Sequence, residues 1–476
     1  MKRVYGFNEG GKELIDILGG KGGNLAEMKR IGLPIPEGII VSTTACKEFF
    51  RDGKKITPEL EKEILKKLEY LQEVTGKRFE GDNPLLVSVR SGAPISMPGM
   101  MDTILNLGLN DVTAEKMSKI FNDEIFVHEL YARFIQMFSE IVMGIEKELF
   151  FSLKEKLFAE RKDEPKIDTY KLVIKKSKEL YKEKTGLDFP ESAKEQLFMA
   201  VNAIFNSWEN DRAILYRKIN GIDDSMGTAV VIQEMVFGNR NDKSGTGVAF
   251  SRNPSNGENE LFGEYLLKAQ GEDIVAGIRT PEPIARLHEQ LPEIYDEFAR
   301  LAKVLENHNK DMQDIEFTIE DGKLYLLQTR NGKRSPYAAV KIAVDMVHEG
   351  ILSKEEAIMK VDPNVLPQLL HGNFDPEAVK KATLLGKGLP GSAGVAIGRV
   401  MFASERVETR ALAILVREET SPEDIKGISQ AQGIVTVKGG ATSHGAVVAR
   451  GMGKCCVTGC GEIQINDIKR EMYING

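Results

Sequence analysis

The chain has 476 residues, a formal net charge of −7, and 42% apolar against 28% charged side chains. That length exceeds what one hydrophobic core sustains, so two or more domains are expected. The acidic balance argues against a nucleic-acid partner and against an anionic membrane surface, but not against phosphate ligands, which need only a local positive field.

No run approaches the roughly 18 unbroken apolar residues of a membrane helix, and the opening MKRVYGFNEGGKEL has no apolar signal core. Cys46 stands apart from Cys455, Cys456 and Cys460, and four cysteines in so long a chain are no disulfide framework. CCVTGC also lacks the second pair or the histidines of a zinc site. Packed, reduced thiols in a cytoplasmic protein are the expectation.

In chain order, GIIVST and LLVSVRSG are β-branched runs bounded by Gly, Pro and Ser, and predict strands. PELEKEILKKLEYLQEV has the apolar spacing of an amphipathic helix. From 112 to 210 helical periodicity dominates, clearest in FVHELYARFIQMFSEIVMGIEKELF, and predicts a helical insertion. β signals return in GTAVVIQEMVFG, GTGVAFSRNP and DIEFTIEDGKLYLLQTR. A helical stretch and a loop-rich segment follow, and residues 341–385 read as a linker. From 386 the texture changes to glycine-rich loops and the short strands ALAILV and GIVTV, predicting a small separate α/β domain. The expected organisation is thus α+β and α/β multidomain, with domains at 1–340 and 386–476.

Four stretches carry chemistry. In LGGKGGNLAEM, four glycines surround Lys21 ahead of a helical pattern. Glycines let backbone N–H groups approach an anion at a helix N-terminus, although a flexible turn reads equally well. It is not a Walker A loop, because Ile15 and Gly22 stand where that motif needs Gly and Ser or Thr. In VSVRSGAPISMPGMMDT a strand delivers Arg90, whose guanidinium suits a phosphate oxygen pair or a structural carboxylate.

DMQDIEFTIEDGKLYLLQTRNGKR predicts a hairpin turning at Glu320–Asp321–Gly322. A two-residue Asp-Gly loop would put Asp314 and Glu316 opposite the face of Gln328. A three-residue loop would bring Asp314, Glu316, Gln328 and Arg330 onto one face. Two carboxylates and an amide oxygen are hard ligands of the kind Mg²⁺ takes beside nucleotide phosphates; a solvated strand face has the same pattern.

In VKGGATSHGAVVARGMGKCCVTGC, one of six histidines follows two glycines and two hydroxyl residues. GIVTV reads as a strand, KGGATS as a loop and HGAVVAR as a helix start capped by Thr442 or Ser443. The helix dipole would disfavour the imidazolium and leave a lone pair free for attack, while small neighbours admit a phosphate donor. A helix-capping histidine is the plainer reading.

Taken together, GGKGGNLAEM, LLVSVRSGAPISMPGMMDTILNLGLND, SGTGVAFSRNPSNGE, QGEDIVAGIRTPEPI, MQDIEFTIEDGKLYLLQTRNGKR and TSPEDIKGISQAQGIVTVKGGATSHGAVVARGMGKCCVTGCGEI resemble pyruvate, phosphate dikinase, in order along the whole chain. SMPGMMDT distinguishes it from phosphoenolpyruvate synthase. The resemblance implies an ATP-grasp nucleotide-binding domain followed by a swivelling phosphohistidine domain. It implies ATP as substrate, with Lys21 and Arg90 on its phosphates. The loop Gly99, Met100, Met101, Asp102 and Thr103 would close over them, with Glu272 as a nucleotide-site carboxylate. Asp314, Glu316 and Gln328 would be metal and phosphate ligands for Mg²⁺, with Arg330 beside them. His444 would take up the β-phosphoryl group with Thr442 as its neighbour, converting ATP and inorganic phosphate to AMP, pyrophosphate and phosphohistidine on the way to pyruvate.

Two departures stand out. The common family string is GGMTSHAAVVAR; Ala441 and Gly445 replace its Met and Ala. Both are expected to enlarge free space, and Gly445 to weaken the first helical turn by roughly 0.5–1 kcal/mol. The family's barrel for phosphoenolpyruvate and pyruvate is also not in these residues, so the chain reads as a fragment or as one component of a split enzyme, with the acceptor barrel on a separate domain or subunit; the phosphohistidine domain itself reads as short of its last strands. The alternatives are a dikinase serving another small-molecule acceptor, as in rifampin phosphotransferases, and a nucleotide-binding remnant without turnover.

Overall fold

A computed structural model describes residues 2–97, 99–275, 280–370, 381–402, 412–466 and 469–474. The chain is a mixed α/β protein that divides into two compact units, Met1–Met235 and Val236–Gly476.

The first unit is built on a five-stranded sheet of β1 (Val4–Gly6), β2 (Gly38–Val41), β3 (Val87–Gly92), β4 (Thr103–Leu107) and β5 (Ala229–Glu234), in the order β1-β2-β5-β3-β4. All its pairings are antiparallel. The amphipathic helix Pro58–Thr75 starts on a Thr57 side-chain cap with Pro at its first position and stops at left-handed Gly76, the asymmetry expected of helix ends. Between β4 and β5 the chain is helical. Glu124–Met143 buries Phe126, Leu130, Phe134, Ile135 and Phe138, and edge-on ring contacts of Phe138 and Tyr181 with Phe189 tie it to its neighbours.

The second unit holds two larger sheets. The first, in the order β10-β9-β6-β7-β8, is antiparallel and comprises β6 (Gly245–Phe250), β7 (Phe262–Leu267), β8 (Glu282–Pro283), β9 (Gln313–Glu320) and β10 (Lys323–Asn331). Helix Pro292–Asn309 covers it, with Phe298 on the Phe317 ring at 4.5 Å. Helix Pro336–His348 and Ala357 join Phe250 and Met312 in a further core, so the stretch read as a linker begins within packed helix. Residues 371–380 of that stretch lie outside the described residues.

The second sheet, in the order β11-β15-β14-β13-β12, comprises β11 (Leu389–Ser392), β12 (Arg399–Met401), β13 (Ala413–Arg417), β14 (Gly433–Thr436) and β15 (Cys455–Thr458). β12 to β15 run parallel, with β11 antiparallel at the edge. Helices Ile425–Gln430 and His444–Gly451 make the crossovers between β13, β14 and β15. A hairpin of β16 (Ile463–Asn466) and β17 (Glu471–Ile474) follows. Parallel connections of this kind put loop residues at the carboxyl ends of strands, where open α/β sheets bind ligands; the loop after β14 is the one that leads to His444.

The four cysteines are free, and burial pushes the Cys46 and Cys456 thiols up to about 12. No helix among the described residues is long and apolar enough to cross a membrane.

Candidate phosphoryl-transfer site

His444 is the first residue of its helix, with Ser443 at the cap position but no side-chain cap hydrogen bond. Its Nε2 is buried and has no hydrogen-bond partner among the described residues. The imidazole pKa falls from 6.5 to about 4. Burial is the main cause and Lys333 adds to it, while Asp424 and Glu423 oppose. The ring is therefore neutral at physiological pH, and in its Nδ1–H tautomer Nε2 presents a bare lone pair, the state a nitrogen nucleophile needs. Desolvation achieves what the sequence reading assigned to the helix dipole.

The loop before His444 is held by a residue the sequence reading missed. Glu264, on β7, accepts the Ala441 N–H at 3.0 Å and the Thr442 hydroxyl at 2.8 Å. A β-carbon at Gly440 would sit 2.1 Å from the Glu264 carboxylate, so only glycine permits this approach. The Thr442 hydroxyl is thus engaged with Glu264 and does not cap the helix. At the next peptide, Arg450 Nη2 donates to the Ala441 carbonyl at 2.6 Å. The signals were present: a lone carboxylate in the apolar strand FGEYLL, and a lone arginine in the helix HGAVVARG.

Gly445 corrects a second expectation. A β-carbon there would lie 2.2 Å from Thr420 Oγ1 and 3.2 Å from its Cβ and Cγ2. No free space is opened; the Thr420 side chain fills the volume an alanine would need.

The hairpin of β9 and β10 turns on two residues, Asp321 (φ 50°) and Gly322 (φ 75°), not three. Near the turn, even positions pair with odd, as in Leu324 with Ile319. A bulge between Leu326 and Gln328 then shifts the register by one residue, so Gln328 pairs with Glu316 and Arg330 with Asp314. The four side chains share one face through the bulge, which re-aims a strand in this way. Arg330 Nε donates to Asp314 Oδ2 at 2.7 Å. Asp314 is only 4% exposed, and its Oδ1 is buried without a partner. Such an orphaned carboxylate oxygen fits a cation. Among the described residues no cluster of three His, Cys, Asp or Glu side chains could hold a metal by itself.

In the first unit the glycine-rich motif straddles a break within Ile15–Arg30: Gly19 is non-helical (φ 70°, ψ 163°), and Lys21 lies in the first turn of the helical segment that follows it. A β-carbon at Gly19 would sit 1.7 Å from the Gly92 carbonyl, and the Gly20 N–H donates to Ala93 at 2.8 Å. The glycines therefore serve close packing of this helix on the end of β3. A β-carbon on Gly92 would meet that of Lys21 at 3.2 Å, so Lys21 stands beside the strand that carries Arg90. That strand runs two residues beyond Arg90, whose Nη1 is 3.5 Å from Gln233 Oε1.

In the loop from Gly99 to Thr103, Gly99 takes φ 72° and Met100 is fully buried. Asp102 pairs with Arg212, Met101 is half-buried, and Thr103 pairs with Arg90 in the sheet register. Burial raises the Asp102 pKa against the opposing pull of Arg212. Glu272 falls in the helix Gly271–Val275, but its side chain lies outside the described residues.

Known proteins resemble the chain throughout. Residues 52–297 and 290–350 match the family described as pyruvate phosphate dikinase, AMP/ATP-binding domain, and residues 410–476 match PEP-utilising enzyme, mobile domain. Pyruvate, phosphate dikinase of Clostridium symbiosum is 51% identical over 489 residues, covering 100% of this chain and 56% of the relative. The Rhizobium meliloti enzyme of that name is 48% identical, covering 99% and 55%. The chloroplastic one of Flaveria pringlei is 50% identical, covering 99% and 51%. The chain spans about half the length of these curated relatives.

Proposed function

The chain belongs to the pyruvate, phosphate dikinase family, and from that premise we propose that it performs the ATP- and phosphate-dependent half of the dikinase reaction on His444. The observation that carries the proposal is the neutral imidazole with a bare, buried Nε2 at the carboxyl end of a parallel sheet. We read Met1 to about residue 340 as an ATP-grasp nucleotide-binding region and residues 386–476 as a swivelling phosphohistidine domain.

Nε2 attacks the β-phosphorus of ATP in line, and the bond from that phosphorus to the α–β bridging oxygen breaks as AMP leaves. The protein then carries a pyrophosphoryl group. Inorganic phosphate attacks its γ-phosphorus, pyrophosphate leaves, and the β-phosphoryl group remains on His444. Phosphohistidine is the product handed on to pyruvate, at a phosphoenolpyruvate- and pyruvate-binding barrel on a longer chain or a partner. Lys21, Arg90 and Arg330 neutralise the phosphates of ATP, an electrostatic and positioning effect. The loop Gly99–Thr103 closes over them, and Glu272 contacts the nucleotide.

The family uses ATP with Mg²⁺. Here Asp314, Glu316 and Gln328 would hold the ion, which when bound supplies charge neutralisation between phosphate oxygens. Asp314 is itself oriented by Arg330. Thr442, held by Glu264, fixes the loop before the nucleophile. Four free thiols accord with the cytosol as compartment.

The test is incubation with Mg²⁺ and ATP labelled at the β-phosphate, with and without inorganic phosphate, comparing wild type with His444→Ala. The expected result is acid-labile, base-stable label on wild type only, with AMP released. Retained ATP binding with no label would overturn the proposal and leave a nucleotide-binding remnant.

A further inference from the structure

We propose that Gln313 is a positioning residue: it locks the bulged register of β9 and β10 and so fixes the face that carries Asp314, Glu316, Gln328 and Arg330. This rests on the dikinase reading, in which that face meets Mg²⁺ and the phosphates of ATP.

Side chains alternate along a strand, so Gln313 points away from Asp314, to the face that carries Phe317 and is covered by the helix Pro292–Asn309. It is fully buried. Its Oε1 accepts from the Thr329 hydroxyl at 3.0 Å and from the Asn309 side-chain amide. Its Nε2 donates to the Asp311 carbonyl at 2.9 Å and to the Asn331 side-chain oxygen at 3.1 Å. The backbone is held as well: the Gln313 N–H donates to Ser251 Oγ at 2.9 Å, and its carbonyl accepts from the Ser251 N–H at 2.8 Å. One buried carboxamide thus grips β10 at two positions beyond the bulge.

Those two contacts exist in one register only. Continued without the bulge, the pairing of Leu324 with Ile319 would bring Arg330 opposite Gln313 and Thr329 opposite Asp314. A slip of one residue exchanges the faces of a strand. The Thr329 hydroxyl would leave Gln313 for the ligand face, and Arg330 would leave Asp314 for the helix-covered face. Gln313 would lose Thr329 and Asn331 together, and a buried carboxamide stripped of its partners is costly.

On the ligand face, the Arg330–Asp314 pair favours the same register. That pair is open to competition, because a cation draws on the carboxylate and phosphate oxygens draw on the guanidinium. The Gln313 contacts face the protein interior and meet no ligand. They keep Gln328 and Arg330 on the face of Asp314 and Glu316 when ligands loosen the ion pair.

The test is the Mg²⁺ concentration that half-saturates His444 labelling at saturating ATP, for wild type, Gln313→Leu, Thr329→Val and Thr329→Ser. Thr329→Val keeps the side-chain shape and removes only the hydroxyl, so it serves even where Gln313→Leu fails to fold. A binding-competent register populated for a fraction of the time weakens apparent affinity by that fraction. Gln313→Leu is expected to raise the Mg²⁺ value about tenfold or more and Thr329→Val about threefold to tenfold, with Thr329→Ser close to wild type. At saturating Mg²⁺ the labelling rate should return to within about threefold of wild type, which a loss of folded protein would not allow. The double variant Gln313→Leu/Thr329→Val should add little to Gln313→Leu, because that contact is already gone. An unchanged Mg²⁺ value in Thr329→Val, or additive effects of the two substitutions, would overturn the proposal. Amide exchange at Gln328, Thr329 and Arg330 reads the hairpin without turnover. Faster exchange there in the variants, with no label on wild type, would sink the dikinase reading and leave the lock standing. Unchanged exchange would overturn the lock whatever the labelling shows.

Discussion

Replacing Gly445 by alanine sets two effects of opposite sign against each other. Alanine is favoured over glycine inside a helix by up to about 1 kcal/mol, and somewhat less in the first turn. Against it stands the contact with Thr420: 2.2 Å to Oγ1 and 3.2 Å to both Cβ and Cγ2. A Thr420 rotamer that turns the Cβ hydrogen toward Gly445 relieves the contact with Oγ1, but Cβ itself stays at 3.2 Å, so either the rotamer changes and the two segments shift slightly, or the contact remains. Overpacking of this kind costs about 1–3 kcal/mol. The net expectation is destabilisation of the helix His444–Gly451 by about 1 kcal/mol. In a Thr420→Ala background the sign reverses, giving a coupling of about 1–2 kcal/mol between the two positions. Global unfolding is a poor readout for a chain of two compact units. Amide hydrogen exchange at Val447 and Val448 reports the helix directly. Slower exchange in Gly445→Ala with Thr420 intact would refute the steric argument.

Three further outcomes are expected. Glu264→Gln keeps the shape but loses the charge that accepts from Ala441 and Thr442; at about 1.5–3 kcal/mol per charged contact, His444 labelling should slow about tenfold to a hundredfold and exchange at the Ala441 amide should rise, whereas an unchanged amide would exclude the contact. Because the His444 pKa is depressed from 6.5 to about 4, the unfolded chain binds the proton first; stability should be flat above about pH 6.5 and fall as pH drops toward about 4. Protection of the Val447 and Val448 amides in wild type and His444→Gln across that window checks it, since the variant should lack this component and an identical pH dependence would refute it. Asp314→Asn, or chelation of Mg²⁺ from wild type, should lower the labelling rate at least about a hundredfold; labelling indifferent to chelator would remove the metal from the reading.

Much of the local structure is legible from residue pattern. The helix Pro58–Thr75 is written in its spacing, its Thr-Pro start and its Gly76 stop, and the strands around GIIV, VSVRSG and GIVT in their β-branched runs between turn residues. These features depend on neighbours a few residues away, where steric preference and apolar period act directly. The helix start at His444 is local in the same way.

The chemistry of the site is decided at longer range. The two-residue turn at Asp321–Gly322 is local, but the bulge before Gln328 is what carries Gln328 and Arg330 to the face of Asp314 and Glu316. Nothing in the alternation of β10 announces it, because a bulge is selected by the strands on both sides of the ladder. Several glycines are also points of close contact that no local pattern announces: Gly19 against the Gly92 carbonyl, Gly440 against Glu264, Gly445 against Thr420. Glu264 reaches Thr442 across 178 positions of chain. The imidazole, finally, owes its neutrality chiefly to burial. Residue order by itself determined which elements form and which side chains are chemically able; which of them meet, and in what dielectric, came only with tertiary packing, since desolvation and non-bonded distance are properties of the surroundings and not of the residue.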